Sequence, residues 1–416
     1  MNILWTVNTL MPEIANELGL KSMHAISWVD AMSKRLTIKK GINLSIATRG
    51  DVEHVISKTI DNLNYFVIPQ DCNRKDYWTE VLNECRPHVI HIYGSENDQN
   101  RLLVENHSQD YPIMISLQGI VSEYYKHYYA GIPFTTMLRY TTLRDVIRPS
   151  GFFRGRKHMK NFVPNEQWML CHVKAVEGRS TWDRVSALNI NPDLKYYYCP
   201  RMIRSAFWEG EWAIDKVERH SIFVHQGDYP IKGIHFVFEA LAKLKAKYPD
   251  IKLYVSGKNF IEAGSGLRKY LPTGYVKYLN DLIRELNIKN NILFTGYLSA
   301  AELTEKLEVV NTVIIPSAIE NAPNSLAEAQ IVGTPTIATF VGGNMDMLKH
   351  NEEGYLYCYN EPNMLAEYIS RIFDNDELAN SFSSCSRKTA RMRHDPDTLE
   401  KMLLAIYDEF SNANKI

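Results

Sequence analysis

Short apolar runs alternate with amphipathic stretches along the chain. In the first half, Asn2–Val7, Ile42–Thr48, Tyr65–Pro69, His88–Tyr93 and Ile113–Gln118 are apolar runs of strand length. Between them, Trp28–Thr37 and Tyr77–Cys85 place apolar residues at helical spacing. Strands of this kind alternating with helices predict a parallel sheet with helices on both faces.

The pattern restarts in the second half. Ser221–Gln226, Ile251–Val255, Ile292–Phe294, Thr312–Ile315 and Thr336–Thr339 read as strands. Ile234–Tyr248 and Tyr275–Leu286 read as helices, each with one apolar stripe. This predicts two α/β domains, at 1–205 and 221–396. Between them, 206–220 is charged, Trp-bearing and aperiodic, and reads as a linker. The last helix, from Asp397, carries Leu399, Met402, Leu403, Ile406, Tyr407 and Phe410 on one face, which must pack on something.

Composition narrows the class. The 416 residues are 45% hydrophobic and 23% charged, as in ordinary globular proteins, and the net charge of -1 argues against a nucleic-acid partner. Six scattered cysteines without metal-ligand spacing suit reduced thiols of a cytoplasmic protein. The N-terminus lacks the features of a signal peptide, and no apolar run is long enough to span a membrane.

Candidate chemistry concentrates in Pro316–Pro335. The strand Thr312–Ile315 feeds a loop holding Glu320. A short helix follows from Pro323 or Asn324, with Glu328 about one turn inside, and Gly333 and Pro335 end it. Ligands of open α/β sheets bind outside the carboxyl ends of the strands, and a helix N-terminus there suits a diphosphate. A carboxylate on the helix can hold a ribose diol, and one in the loop can orient sugar hydroxyls. On spacing alone, two solvated glutamates on a helix fit equally well. Upstream, Gly227-Asp-Tyr-Pro-Ile-Lys232-Gly233 follows a strand and precedes a helix, so Lys232 can reach phosphate oxygens. A lone Lys-Gly is more often a surface turn.

Glu320, seven residues, then Glu328 resembles the signature of family 4 retaining glycosyltransferases of the GT-B fold. Phe294-Thr-Gly296-Tyr297-Leu298, Val341-Gly342-Gly343-Asn-Met-Asp346 and Asn351-Glu-Glu-Gly354-Tyr-Leu356 are similar to that family's elements, in the same order. So are Pro87–Gly94 and Ile115–Gly119 in the first half. Gly178-Arg-Ser-Thr-Trp182-Asp183 and Ala390–Asp395 resemble elements of bacterial polysaccharide-synthesis members.

The resemblance implies two Rossmann-like domains facing across a cleft, with the final helix, 397–416, returning to the N-terminal domain. The N-terminal domain would bind acceptor and the C-terminal domain donor. Glu320 would contact the donor sugar, and Lys232 the departing phosphates. Glu328 would hold the ribose, and Asn324 and Ser325 would offer N–H groups to the diphosphate. Tyr297 and Leu298 would frame the base, and Gly227 would let the backbone approach the donor. The family pattern has Arg after this glycine, where this chain has Asp228 in a loop one residue shorter. On the acceptor side the candidates are His24, Gln118, Gly119 and Arg179. Gln118 stands where relatives have His, and the glycine pair after the first strand is missing.

The implied reaction is hexosyl transfer, with retention, from a UDP- or GDP-sugar to a sugar or lipid-linked oligosaccharide in cell-surface polysaccharide synthesis. No metal or other cofactor is expected. A sugar-nucleotide epimerase, a glycoside phosphorylase and a non-catalytic sugar-nucleotide-binding homologue remain alternatives. Asp374-Asn-Asp376 and Asp395-Pro-Asp397 read DxD, but both lie away from the expected donor site. Finally, 124–160 holds eight lysines and arginines against Asp145 alone, a charge of +7, interleaved with aromatics. It suits an anionic membrane surface, hence a cytoplasmic enzyme peripheral on the inner face of the plasma membrane. A merely solvated basic face fits it as well.

Overall fold

The computed structural model describes residues 1–20, 27–70, 76–148, 151–260 and 272–414, which form two compact units. His24 lies outside the described residues. The first unit comprises Met1–Ser122, Phe162–Arg204 and His394–Ile416; the second comprises Glu123–Asn161 and Ser205–Arg393.

Eight strands make the sheet of the first unit: β1 (Asn2–Thr6), β2 (Asn43–Gly50), β3 (Ile56–Ile60), β4 (Leu63–Pro69), β5 (Val89–Tyr93), β6 (Ile113–Ser116), β7 (Ala175–Gly178) and β8 (Lys195–Tyr198). Their order is β3-β4-β2-β1-β5-β6-β7-β8. All pairs are parallel except β3–β4, a hairpin whose turn residues Asp61 and Asn62 both have positive φ.

The C-terminal helix Pro396–Ala413 completes this unit. Asp395 caps it by accepting the Thr398 N–H at 2.8 Å. Leu399, Leu403, Ile406, Tyr407 and Phe410 enter the same apolar cluster as Ile3, Trp5, Val29 and Ile46, and Met402 packs at its margin. The Tyr407 hydroxyl accepts the Trp5 indole N–H at 2.8 Å and lies 2.7 Å from His91 Nδ1. His91 is thus a core residue, and burial together with the Arg201 charge holds its imidazole neutral, well below its ordinary pKa.

The second unit has a six-stranded parallel sheet: β9 (Glu218–Val224), β10 (Lys252–Ser256), β11 (Ile292–Gly296), β12 (Val310–Ile315), β13 (Thr336–Thr339) and β14 (Gly354–Tyr357). The order is β11-β10-β9-β12-β13-β14, so the direction of winding reverses between β9 and β12.

Two expected boundaries do not hold. The linker expected at 206–220 is packed structure of the second unit. Phe207 is fully buried, and the Trp212 indole donates to Val310 O at 2.8 Å. Two tryptophans in a charged stretch were the sign that it had a core to enter. The segment Glu123–Asn161, expected within 1–205, groups with the second unit instead. Asp145 accepts the Gly274 N–H at 2.7 Å, at the start of the helix Gly274–Glu285. His235 bridges Ala130 O at 3.1 Å and the Tyr275 hydroxyl at 3.0 Å, and burial pulls its pKa down to about 4. These bonds join residues more than 100 positions apart or on separate helices, which no local pattern announces.

Candidate functional site

The site forms where the loops leaving β9 and β12 meet. After β9, Pro230–Lys232 makes one turn of 3-10 helix, and Gly233 follows with φ +67°. A Cβ at Gly233 would stand 2.1 Å from Pro316 O, so only glycine lets the two loops close together. The Ala318 N–H then donates to Ile231 O at 2.8 Å and ties them.

This places Lys232 Nζ 2.5 Å from Glu320 Oε1. Ser317 Oγ donates to the same oxygen at 2.7 Å. Burial favours the neutral amine at Lys232, but the Glu320 carboxylate and the Tyr229 ring outweigh it and hold the ammonium above its ordinary pKa. The result is a largely buried cation kept charged beside a carboxylate at a sheet's switch point.

A second glycine holds the Glu320 loop from the far side. Gly342 has φ +50°, and a Cβ there would lie 1.9 Å from Glu320 O. The Gly343 N–H donates to that same carbonyl at 3.1 Å. Gly342→Ala is therefore expected to push the Glu320 loop outward and to lower any turnover that uses Glu320 at least about tenfold, a displacement of roughly 1 Å being enough. Unchanged turnover in a folded Gly342→Ala protein would show that this contact does not set Glu320.

The helix predicted here spans Asn324–Val332 and ends at Gly333 with φ +95°. Asn324 and Ser325 are its half-buried first residues, and Glu328 is buried in the next turn. Its N-cap is Pro323, and no side chain caps it. A cleft of about 250 Å³ opens at the ends of β9, β10 and β11. Gly227, Asp228, Lys258, Phe260 and Tyr297 line it, with Tyr297 67% exposed, while Lys232 and Glu320 lie outside its lining. Leu298 is half-buried. Asp228 accepts a hydrogen bond from Gln226 Nε2 at 3.2 Å. Lys258, unremarked in the sequence, is an exposed cation in the same cleft.

In the first unit, the expected residues sit at the ends of β6 and β7. Gln118 and Gly119 are half-buried, and Gln118 Nε2 lies 3.4 Å from Ser116 Oγ. Arg179 is buried and donates to the carbonyls of Leu117 at 3.1 Å and Gln118 at 2.9 Å, so it braces this loop. The sequence reading missed Glu96. It stands at the β1/β5 reversal of this sheet, where Asn8 Nδ2 donates to its carboxylate at 2.9 Å. Burial, with the Glu166 carboxylate adding to it, raises its pKa. The sign was available: Gly94-Ser-Glu96-Asn-Asp directly follows a strand.

The DxD runs have other partners. Asp374 pairs with Lys247 at 2.5 Å and Asp376 with Arg219 at 2.5 Å, while Asp395 caps the last helix.

Residues 205–389, which carry Lys232, Glu320 and Glu328, match the family model of glycosyl transferases group 1. The chain is 30% identical over 162 residues to the putative glycosyltransferase YtcC of Bacillus subtilis, covering 38% of each. It is 27% identical over 179 residues to a D-inositol 3-phosphate glycosyltransferase of Corynebacterium urealyticum, covering 42% of this chain and 40% of that protein. It thus spans less than half the length of these curated relatives. Likeness of fold extends further. A sucrose-phosphate synthase of Thermosynechococcus elongatus superimposes with a TM-score of 0.69 at 14% identity, over 99% of both chains. Anabaena HepE, solved with UDP and glucose, gives 0.67 at 14% identity, over 98% of this chain and 99% of its own. Residues 205–389 thus match the group 1 glycosyl transferases, and the likeness to these solved structures shows that the chain has the GT-B fold.

Proposed function

We propose that the protein transfers a hexosyl group, with retention at the anomeric carbon, from a UDP- or GDP-sugar to a sugar or lipid-linked oligosaccharide. The setting we propose is cell-surface polysaccharide synthesis by a cytoplasmic enzyme, working peripherally at the inner face of the plasma membrane. The observation that carries this reading is the Lys232–Glu320 pair at the switch point of the sheet, beside the N-terminus of the helix Asn324–Val332.

The roles follow from charge. Breaking the anomeric C–O bond leaves its electron pair, and a growing negative charge, on the diphosphate. Lys232 and the N–H groups of Asn324 and Ser325 stabilise that charge. Glu320 accepts hydrogen bonds from the donor sugar, and Glu328 from the ribose diol. The acceptor oxygen bonds to the anomeric carbon from the face the diphosphate leaves, and its proton passes to a phosphate oxygen. This route uses no enzyme nucleophile and no metal. Glu96, Gln118 and Gly119 belong to the acceptor side.

Thermal unfolding with UDP, GDP and ADP tests the donor half. One of them at 100 times its Kd should add about 2.7 kcal/mol of stability. No shift with any nucleoside diphosphate would remove the nucleotide-sugar reading. Incubation with donor sugars then separates the alternatives. Product only with acceptor supports transfer, an altered donor without acceptor means epimerisation, and a free sugar phosphate means phosphorolysis.

A further inference from the structure

The segment Glu123–Asn161 has an outer face that its inner face makes rigid. Inside, Met137 and Tyr140 of the helix Phe134–Tyr140 are buried, and Tyr140 meets Tyr278 edge to face at 5.4 Å. Asp145, buried in the helix Leu143–Ile147, holds the Gly274 N–H and the Thr142 N–H. Gly155 of the helix Phe152–Asn161 lies so close to Tyr128 that a Cβ there would meet its hydroxyl at 1.9 Å.

The outer face is apolar. Phe134 and Leu138, one turn apart, are 60% and 55% exposed. Leu143, Val146 and Ile147 share the next helix face and are 82%, 54% and 72% exposed. Five large apolar side chains are thus exposed within 14 residues on two consecutive helices, a concentration of the kind that marks an interaction site.

Cations frame it. Arg139, Arg148, Arg154 and Lys157 are exposed, and Arg154 Nη1 donates to Ile147 O at 2.7 Å, which fixes a guanidinium at the edge of the patch. The segment's one acidic residue within 124–160, Asp145, points inward and neutralises nothing at the surface. A solvated basic face would not carry Leu143 and Ile147 on its outside.

We propose that this patch is a membrane-docking surface of the second unit, in which Phe134, Leu138, Leu143, Val146 and Ile147 enter the headgroup–acyl boundary of an anionic bilayer while the surrounding arginines and lysines meet lipid phosphates. The charge selects the occupant. An anionic lipid surface satisfies the cations and the apolar side chains together, as one-sided insertion requires. The unit that carries Lys232 and Glu320 is then itself held at the membrane. The inference does not rest on the transfer reaction, since a chain that turned over no donor would still dock.

Co-sedimentation with phosphatidylcholine vesicles and with vesicles rich in phosphatidylglycerol tests it. The full chain should pellet with the anionic vesicles at low salt and less so as salt rises. Leu143→Ser/Ile147→Ser and, separately, Arg139→Glu/Arg148→Glu should each weaken that partition at least about tenfold. All four side chains are exposed, and an unchanged Tm confirms that the variants fold. Failure of the wild type to bind anionic vesicles, or variants that bind as well as wild type, would overturn the proposal. So would a dimer in solution that Leu143→Ser/Ile147→Ser dissociates without any vesicle binding, which would make the patch a contact between copies. UDP or GDP binding, measured on the same samples, should be unchanged in every variant.

Discussion

Lys232→Ala should lower kcat roughly 10²-fold or more, the usual scale for removing a fixed group that stabilises transition-state charge. The protein should stay folded, because a quarter of the Lys232 side chain reaches solvent, Ser317 Oγ still donates to Glu320, and Gly233 keeps its contact with Pro316 O. Glu320→Gln separates the two partners. It keeps the shape and can still accept from Ser317 Oγ, but it removes the charge 2.5 Å from Lys232 Nζ. Burial then acts on Lys232 with its main opponent gone, so the folded-state pKa of Lys232 should fall. The alkaline limb of kcat should move toward neutral pH, since activity needs the protonated amine and that form is lost above its pKa. Turnover of Lys232→Ala close to wild type, or an alkaline limb unmoved in Glu320→Gln, would remove the pair from the mechanism.

The second large effect is on stability, and it lies in the first unit. Arg201 Nη1 sits 3.2 Å from Glu177 Oε2 with both residues almost fully buried, and Arg201 Nη2 reaches Ser116 Oγ. Glu177→Ala leaves a buried guanidinium without its counter-charge, which costs about 3–5 kcal/mol. For a unit of this size that lowers Tm by roughly 10 °C. Replacing both partners by apolar residues, Glu177→Leu with Arg201→Met, should cost less than Glu177→Ala, because no charge is left behind. Thermal unfolding of the single and double variants measures the difference. A double variant at least as unstable as Glu177→Ala would mean that the pair contributes through its hydrogen bonds more than through charge balance.

Most of the framework is local and could be read from the sequence. β13 matches its expected range, and ten of the strands follow from apolar runs of buried-strand length. Four strands escaped: β14, Gly-Tyr-Leu-Tyr, is a four-residue run opening on a glycine, and the other three have compositions that hide burial. β3 is a polar edge strand, Ile-Ser-Lys-Thr-Ile, visible only through its Asp61-Asn62 turn. β7 holds a buried glutamate, and β8 reads Lys-Tyr-Tyr-Tyr. The parts of the candidate site were legible because they lie within one strand–loop–helix unit, Val310 to Gly333, with Lys232 in a similar turn. Its fine structure was not. The roles of Ser317 and Tyr229, and the grip of Gly342 on the Glu320 carbonyl, need two loops folded against one another. The place of Glu123–Asn161 is the extreme case, since the contacts that assign it to the second unit span from Ala130 to His235 and from Asp145 to Gly274.

The division of the chain between its two units sets an order of assembly. It passes from one unit to the other four times, near residues 122, 161, 204 and 393. Every residue of the second unit has been synthesised before the helix Pro396–Ala413 exists. The apolar cluster of the first unit, by contrast, runs from Ile3 to Phe410. On a translating ribosome, the unit begun first is therefore the one finished last. Trp5 waits about 400 residues for the Tyr407 hydroxyl, so the nascent N-terminal sheet has one unclosed flank throughout synthesis. A stalled or clipped chain that lacks the helix Pro396–Ala413 would keep a complete second unit joined to a first unit with an open core.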